Sequence, residues 1–139
     1  MVERDIILEK ISNIQRCLNR IRAKTALQPE SLDDMDIQDI FVLNLLRAIE
    51  SSTDIASHVV ATENLGLSKT IRENFALLHG AGIIDEFLKK KMENMVGFRN
   101  IAVHDYHALN LAILKSILTS NLKDIEDFCS AVVKHFKLA

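Results

Sequence analysis

Only one proline and four glycines interrupt 139 residues, and that scarcity constrains the fold more than any motif does. Proline removes the amide donor that a helix interior needs, and glycine costs the most backbone entropy. A chain nearly free of both can run as long helices. The apolar residues agree. Ile7, Ile11, Ile14, Leu18 and Ile21 alternate steps of four and three, drawing one stripe on a long first helix. Pro29, within "LQPES", forbids its continuation. A second helix opens at Asp34 or Asp36, both suitable N-caps. It places Ile37, Ile40, Phe41, Leu45, Ala48, Ile49, Ile55 and Val59 inward.

"ENLGLSKT" (63–70) closes that helix and starts a third, where Thr70 and Glu73 make a capping box. "HGAG" (79–82) ends the third with glycine where left-handed backbone is needed. The fourth runs from about Ile84, with Phe87, Leu88, Met92, Met95 and Val96 inward. The fifth follows Asn110 as its cap and carries Leu114, Ile117, Leu118, Leu122, Ile125, Phe128, Cys129, Val132 and Phe136 inward. No stretch alternates as a strand would. The expectation is an all-α chain, one domain over 1–139, folded as an antiparallel bundle of about five helices with up-down connections. The first stripe suits bundle core or a dimer seam equally.

A chain of this length can bury one core, and 48% hydrophobic with 26% charged residues is a globular composition. No apolar run reaches membrane-spanning length, and "MVERDIILEK" lacks a signal-peptide layout. A cytoplasmic protein with no membrane association is expected. Cys17 and Cys129, far apart inside helical patterns, read as two buried small hydrophobes. A net charge of −2 excludes a general nucleic-acid coating protein. It leaves room for a local basic site, and Lys89, Lys90 and Lys91 are candidate RNA contacts. The same run also reads as a solvated helix face.

The stretch "VGFRNIAVHDYHALN" (96–110) gathers Arg99, Asn100, His104, Asp105, Tyr106 and His107 at the end of the fourth helix. Polar, titratable residues at an element terminus are candidates for function. Arginine presents a planar fork of donors matched to phosphate oxygens, and histidine can accept and return a proton near neutrality. With RNA as substrate, His104 would take the 2′-hydroxyl proton while Arg99 stabilises charge on the phosphorus oxygens. That scheme calls on no metal. On an unbroken helix the two residues point about 140° apart. Either the helix ends between them, or a second chain completes the pair.

The spacing alone is not specific, since about 0.25 Arg-x4-His pairs are expected by chance from these residue counts. The single tyrosine two positions after His104 adds weight. In the competing structural reading, Arg99 interacts with the helix dipole while His104 and Tyr106 are half-buried linkers. Other pairings point to less. His104 and His107 have a metal spacing but no third ligand. Asp54 and His58 form an i,i+4 surface pair. Arg47 and Glu50 read as a local i,i+3 salt bridge that could line the same cleft. His79 and His135 sit at helix ends, where the dipole favours them.

"MVGFRNIAVHDY" resembles the signature of the HEPN superfamily, Arg-x4–6-His, here as Arg99-x4-His104-x-Tyr106. "LLRAIESSTDIASHVV" (45–60), "TIRENFALLHGAGIIDEFLKKKMENMVGFRN" (70–100) and the closing helix follow in the order of its HepT toxin branch. The likeness runs from about Asp5 to Phe136. It implies a metal-independent RNA endonuclease toxin of a HEPN–MNT pair, acting on tRNA or mRNA as a homodimer. Arg99 and His104 of both subunits would meet in a cleft as catalytic residues, with Asn100 as the supporting polar residue. The implied partner is a cognate MNT-type nucleotidyltransferase antitoxin. It would use ATP to attach AMP to Tyr106 and silence the toxin, which itself needs no cofactor. The resemblance also admits a non-catalytic nucleotide- or partner-binding subunit of a nucleotidyltransferase complex. No Gly-Ser followed by spaced aspartates occurs, so the adenylylating enzyme must be a separate protein.

Overall fold

Side-chain caps set the helix boundaries. The structure, a computed structural model, describes residues 2–137. Helix α1 (Val2–Thr25) stops where the Thr25 hydroxyl turns back to the Ile21 carbonyl (2.7 Å) and accepts from the Leu27 amide (3.1 Å). Ala26 and Leu27 there adopt left-handed backbone, with φ of 51° and 60°. Pro29 then opens a 3-10 turn, Pro29–Asp33. Asp34 caps α2 (Met35–Thr62), accepting from the amides of Asp36 (2.8 Å) and Ile37 (3.2 Å).

Thr70 caps α3 (Ile71–Gly80) by accepting from the Glu73 amide (3.2 Å). The return arm of the expected capping box lands one residue early, on the Lys69 amide (2.7 Å). Helix α4 (Glu86–His104) begins slightly later than the apolar spacing implies, because Asp85 captures the Leu88 amide (2.7 Å). Asn110 caps α5 (Leu111–Ser116) through the amides of Ala112 and Ile113. A π turn (Ile117–Asn121) joins α5 directly to α6 (Leu122–Phe136). These three segments make up the single closing helix expected, carried across one wide turn.

The fold is all-α, with one hydrophobic core shared by every helix. Ile7, Ile11, Ile14, Leu18 and Ile21 are all buried, so the first stripe is bundle core. Helix α1 packs most extensively on α2, which also meets α3, α4 and α6. Phe75 of α3 and Phe128 of α6, both fully buried, meet edge-on with ring centroids 5.5 Å apart.

Phe87 departs from expectation. It is 65% exposed, and the Lys91 ammonium lies 5.1 Å from its ring centroid. The buried stripe of α4 is Leu88, Met92 and Met95, in steps of four and three, and Phe87 sits one residue, about 100°, off that line. Cys129 is buried and Cys17 half-buried, both free. Burial, with help from the Glu126 charge, pushes the Cys129 thiol up to about 12, as for an inert core cysteine. Among the described residues, no helix is long and apolar enough to cross a membrane.

Candidate active site

Helix α4 runs unbroken through Arg99 and ends at His104. The first sequence option, a helix ending between the two, is therefore not what the chain adopts. Five helical residues separate the pair by about 140° and about 7.5 Å of rise, so their side chains leave different faces. Arg99 turns toward α2, where its Nε donates to Oε1 of Glu50 at 2.7 Å and its Nη2 lies 2.7 Å from the same oxygen. Its Nη1 donates to Oδ1 of Asn100 (3.2 Å). The Arg99 side chain is only a quarter exposed. His104 stands exposed on the last turn, and its side chain makes no hydrogen bond among the described residues.

The Glu50 contact corrects the sequence expectation. Glu50 was expected to pair with Arg47 one turn back, but its carboxylate reaches 49 positions along the chain instead. A half-buried guanidinium needs a counter-charge more than an exposed Arg47 does.

Past Asp105, a 3-10 turn (Tyr106–Ala108) folds Tyr106 back over α2. The Tyr106 hydroxyl donates to Oδ1 of Asp39. Partial burial, then the hydrogen bond and charge of Asp39, push this phenol up to about 12. Asp39 was missed in the sequence, where it merges with an aspartate-rich helix start. The usable signal was its register. Asp39 and Glu50 lie eleven residues apart, three turns plus about 20°, on one edge of α2 about 16.5 Å apart. One rigid helix thus holds Tyr106 at one end of a track and Arg99 at the other.

A groove of about 600 Å³ between α1 and α2 ends on Glu50. Arg16 and Arg20 line it from α1, Arg47 from α2, and Val103 of α4 closes a side. Among the described residues none of these three arginines is ion-paired. Their charges converge on Cys17 in the same groove, where burial still outweighs them and pushes the thiol up. Three of the chain's seven arginines therefore line one groove with Glu50, and a fourth, Arg99, pairs with that carboxylate, in a chain of net charge −2.

A family model described as "Ribonuclease HepT-like" matches residues 7–132. The chain belongs to the HepT-like ribonuclease family. It is 38% identical over 128 residues to the "mRNA nuclease HepT" of Shewanella oneidensis, covering 92% of this chain and 96% of that protein. Two solved structures each align at a TM-score of 0.88 and 37% identity, covering 94% of this chain and 98% of theirs. One is a toxin–antitoxin crystal structure with AMP-PNP. The other is a tri-AMPylated Shewanella oneidensis HEPN toxin in complex with MNT antitoxin.

The remaining candidates lie elsewhere on this HepT-like frame. Lys89 and Lys90 lie 3.4 and 3.8 Å from Oε1 of Glu86, and Lys91 covers Phe87. Asp54 pairs with Lys10 (3.1 Å) rather than with His58, whose buried Nε2 has no hydrogen-bond partner among the described residues. His79 bridges to Glu86 (3.0 Å) and His135 to Glu63 (2.9 Å), so each helix-end histidine has a carboxylate as well as a dipole. His107 meets the Tyr106 ring edge-on at 6.3 Å. Among the described residues, no three His, Cys, Asp or Glu side chains gather where they could hold a metal ion.

Tyr106 is the sole tyrosine and tryptophan is absent, so phenolate absorbance titrates this one residue. The folded protein is expected to ionise there near pH 12, and Asp39→Asn to lower that midpoint toward the ordinary value of about 10. A midpoint already near 10 in the unaltered protein would contradict the contact.

Proposed function

We propose that this chain is the RNA endonuclease toxin of a HEPN–MNT pair, acting as a cytoplasmic homodimer without a metal. One observation supports it above the others. Arg99 is fixed by Glu50 and Asn100 in a way that leaves at least one N–H on each of Nη1 and Nη2 uncommitted. A guanidinium so held is aimed before substrate arrives, and two parallel donors suit one phosphate.

Because α4 turns His104 away from Arg99 of its own chain, the pair is completed across two subunits. His104 of the partner subunit then approaches the phosphodiester that Arg99 binds. A neutral imidazole takes the proton of the ribose 2′-hydroxyl, whose oxygen attacks phosphorus. The bond to the 5′ oxygen breaks, the imidazolium returns the proton to that oxygen, and a 2′,3′-cyclic phosphate remains. Arg99 offsets the charge that grows on the non-bridging oxygens.

The groove with Arg16, Arg20 and Arg47 extends the same site and would carry the flanking RNA backbone. Among the described residues its guanidiniums face no carboxylate in an ion pair, although Arg16 donates to Asn13 Oδ1, whereas Lys89 and Lys90 already face Glu86. Tyr106, at the far end of the α2 track, is proposed as the residue that a cognate nucleotidyltransferase modifies with AMP from ATP. Phosphates attached there would occupy the path of the substrate.

Purified protein in EDTA is expected to cleave mRNA or tRNA, and Arg99→Ala and His104→Ala each to lose at least about 100-fold in rate. Mixing the two inactive variants should restore about a quarter of wild-type activity, since half of randomly formed dimers regain one intact Arg–His pair. No recovery on mixing would place both groups in one chain, and loss of cleavage in EDTA would end the metal-free scheme.

RNA binding to the His104→Ala protein reads the groove without cleavage. Replacing Arg16, Arg20 and Arg47 by Gln should lower the slope of log Kd against log salt by about 2, near 0.7 per lost phosphate contact on a single strand. An unchanged slope there, with a fall on replacing Lys89, Lys90 and Lys91 by Gln, would move the binding surface to the start of α4.

A further inference from the structure

We infer that Asp39 accepts the phenolic proton of Tyr106 as its oxygen attacks the α-phosphorus of a nucleoside triphosphate, so that the toxin supplies the base for its own modification. This rests on Tyr106 being the residue that receives AMP, as proposed above.

The geometry is already that of a general base and its substrate. Tyr106 Oη donates to Oδ1 of Asp39, a contact bridging 67 positions of sequence. A base must lie within hydrogen-bond reach of the proton it removes, and Asp39 does. The need for one is equally clear. A phenol held near pH 12 stays protonated at neutral pH, and a neutral hydroxyl is a weak nucleophile until a neighbour takes its proton. Protein kinases use the same pairing, an aspartate accepting the proton of the substrate hydroxyl. Here the aspartate lies on the protein that is modified.

The two partners are held by separate elements, so the contact is not a chance of one mobile loop. Asp39 lies in the second turn of α2, behind the Asp34 cap. Tyr106 is set by its 3-10 turn, closed by the amides of Ala108 on the Asp105 carbonyl (3.0 Å) and Leu109 on the Tyr106 carbonyl (3.1 Å). The rival base is His107, whose ring stands edge-on to Tyr106 with centroids 6.3 Å apart. Among the described residues, it makes no hydrogen bond to the hydroxyl.

In the step itself, the Tyr106 Oη–Pα bond forms and the bond from Pα to the pyrophosphate oxygen breaks. Pyrophosphate leaves, and the phenolic proton passes to the Asp39 carboxylate and then to water. The nucleotide is the ATP of the partner nucleotidyltransferase. No oxidant or reductant is involved.

The test is the initial rate of AMP incorporation into the full-length protein by its MNT-type partner and ATP, followed by intact mass. Asp39→Asn is expected to lower kcat at least about 100-fold with KM for ATP unchanged. Asp39→Glu should recover part of the rate, and His107→Ala should stay near wild type. As pH rises, the ratio of wild-type to Asp39→Asn rates should fall about tenfold per unit, because the variant depends on phenolate that forms unaided. A merely structural role for Asp39 would leave that ratio constant, and a constant ratio overturns the inference. Wild-type rates in Asp39→Asn also overturn it, while leaving Tyr106 as the acceptor. If the unaltered protein gains no AMP, the assignment of Tyr106 itself fails and the inference falls with it.

Discussion

The ion pair between Glu50 and Arg99 ties the end of α4 to the middle of α2, and the candidate site is arranged around it. Exposed pairs of this kind contribute little to stability, about 0–1 kcal/mol. Arg99 is only a quarter exposed and Glu50 about half, so the pair counts for position more than for stability. It fixes the plane of the guanidinium and leaves at least one N–H on each of Nη1 and Nη2 uncommitted. Without it, a long flexible side chain would have to be ordered when RNA binds, which costs about 2 kcal/mol of rotamer entropy.

Helix α2 can act as that anchor because its opposite face is buried. Phe41, Leu45, Ala48, Ile49, Ile55 and Val59 are almost entirely inaccessible to solvent, so the helix cannot rotate without breaking the core. Its exposed edge then keeps Asp39 and Glu50 in fixed register. Tyr106 and Arg99 inherit that register, although neither lies on α2. On the proposed roles, AMP attached at one end of the edge would obstruct chemistry at the other without any change of fold.

The fold was largely legible in the sequence because helical periodicity and caps are local. Asp34, Thr70 and Asn110 cap as their side chains dictate, and the α1 stripe is buried to the last residue. Phe87 misled because one residue beside a stripe lies 100° off it, and a five-residue window at a helix start does not resolve that. The candidate site was legible only in part. Arg99, Asn100, His104 and Tyr106 form a linear motif, but their partners Glu50 and Asp39 come from another helix. No local rule pairs positions 49 and 67 apart. The arginines of the groove were hidden for the same reason, being spread over two helices, while Lys89–Lys91 drew attention by adjacency alone.

The ends of the cleaved RNA test the central claim most directly, that an imidazole and a guanidinium drive attack by the ribose's own 2′-oxygen. Digestion of a defined RNA in EDTA should leave a 2′,3′-cyclic phosphate on one fragment and a 5′-hydroxyl on the other, with no cleavage at a 2′-deoxy position. Fragments bearing a 3′-hydroxyl and a 5′-phosphate, or cleavage at the deoxy position, would contradict it.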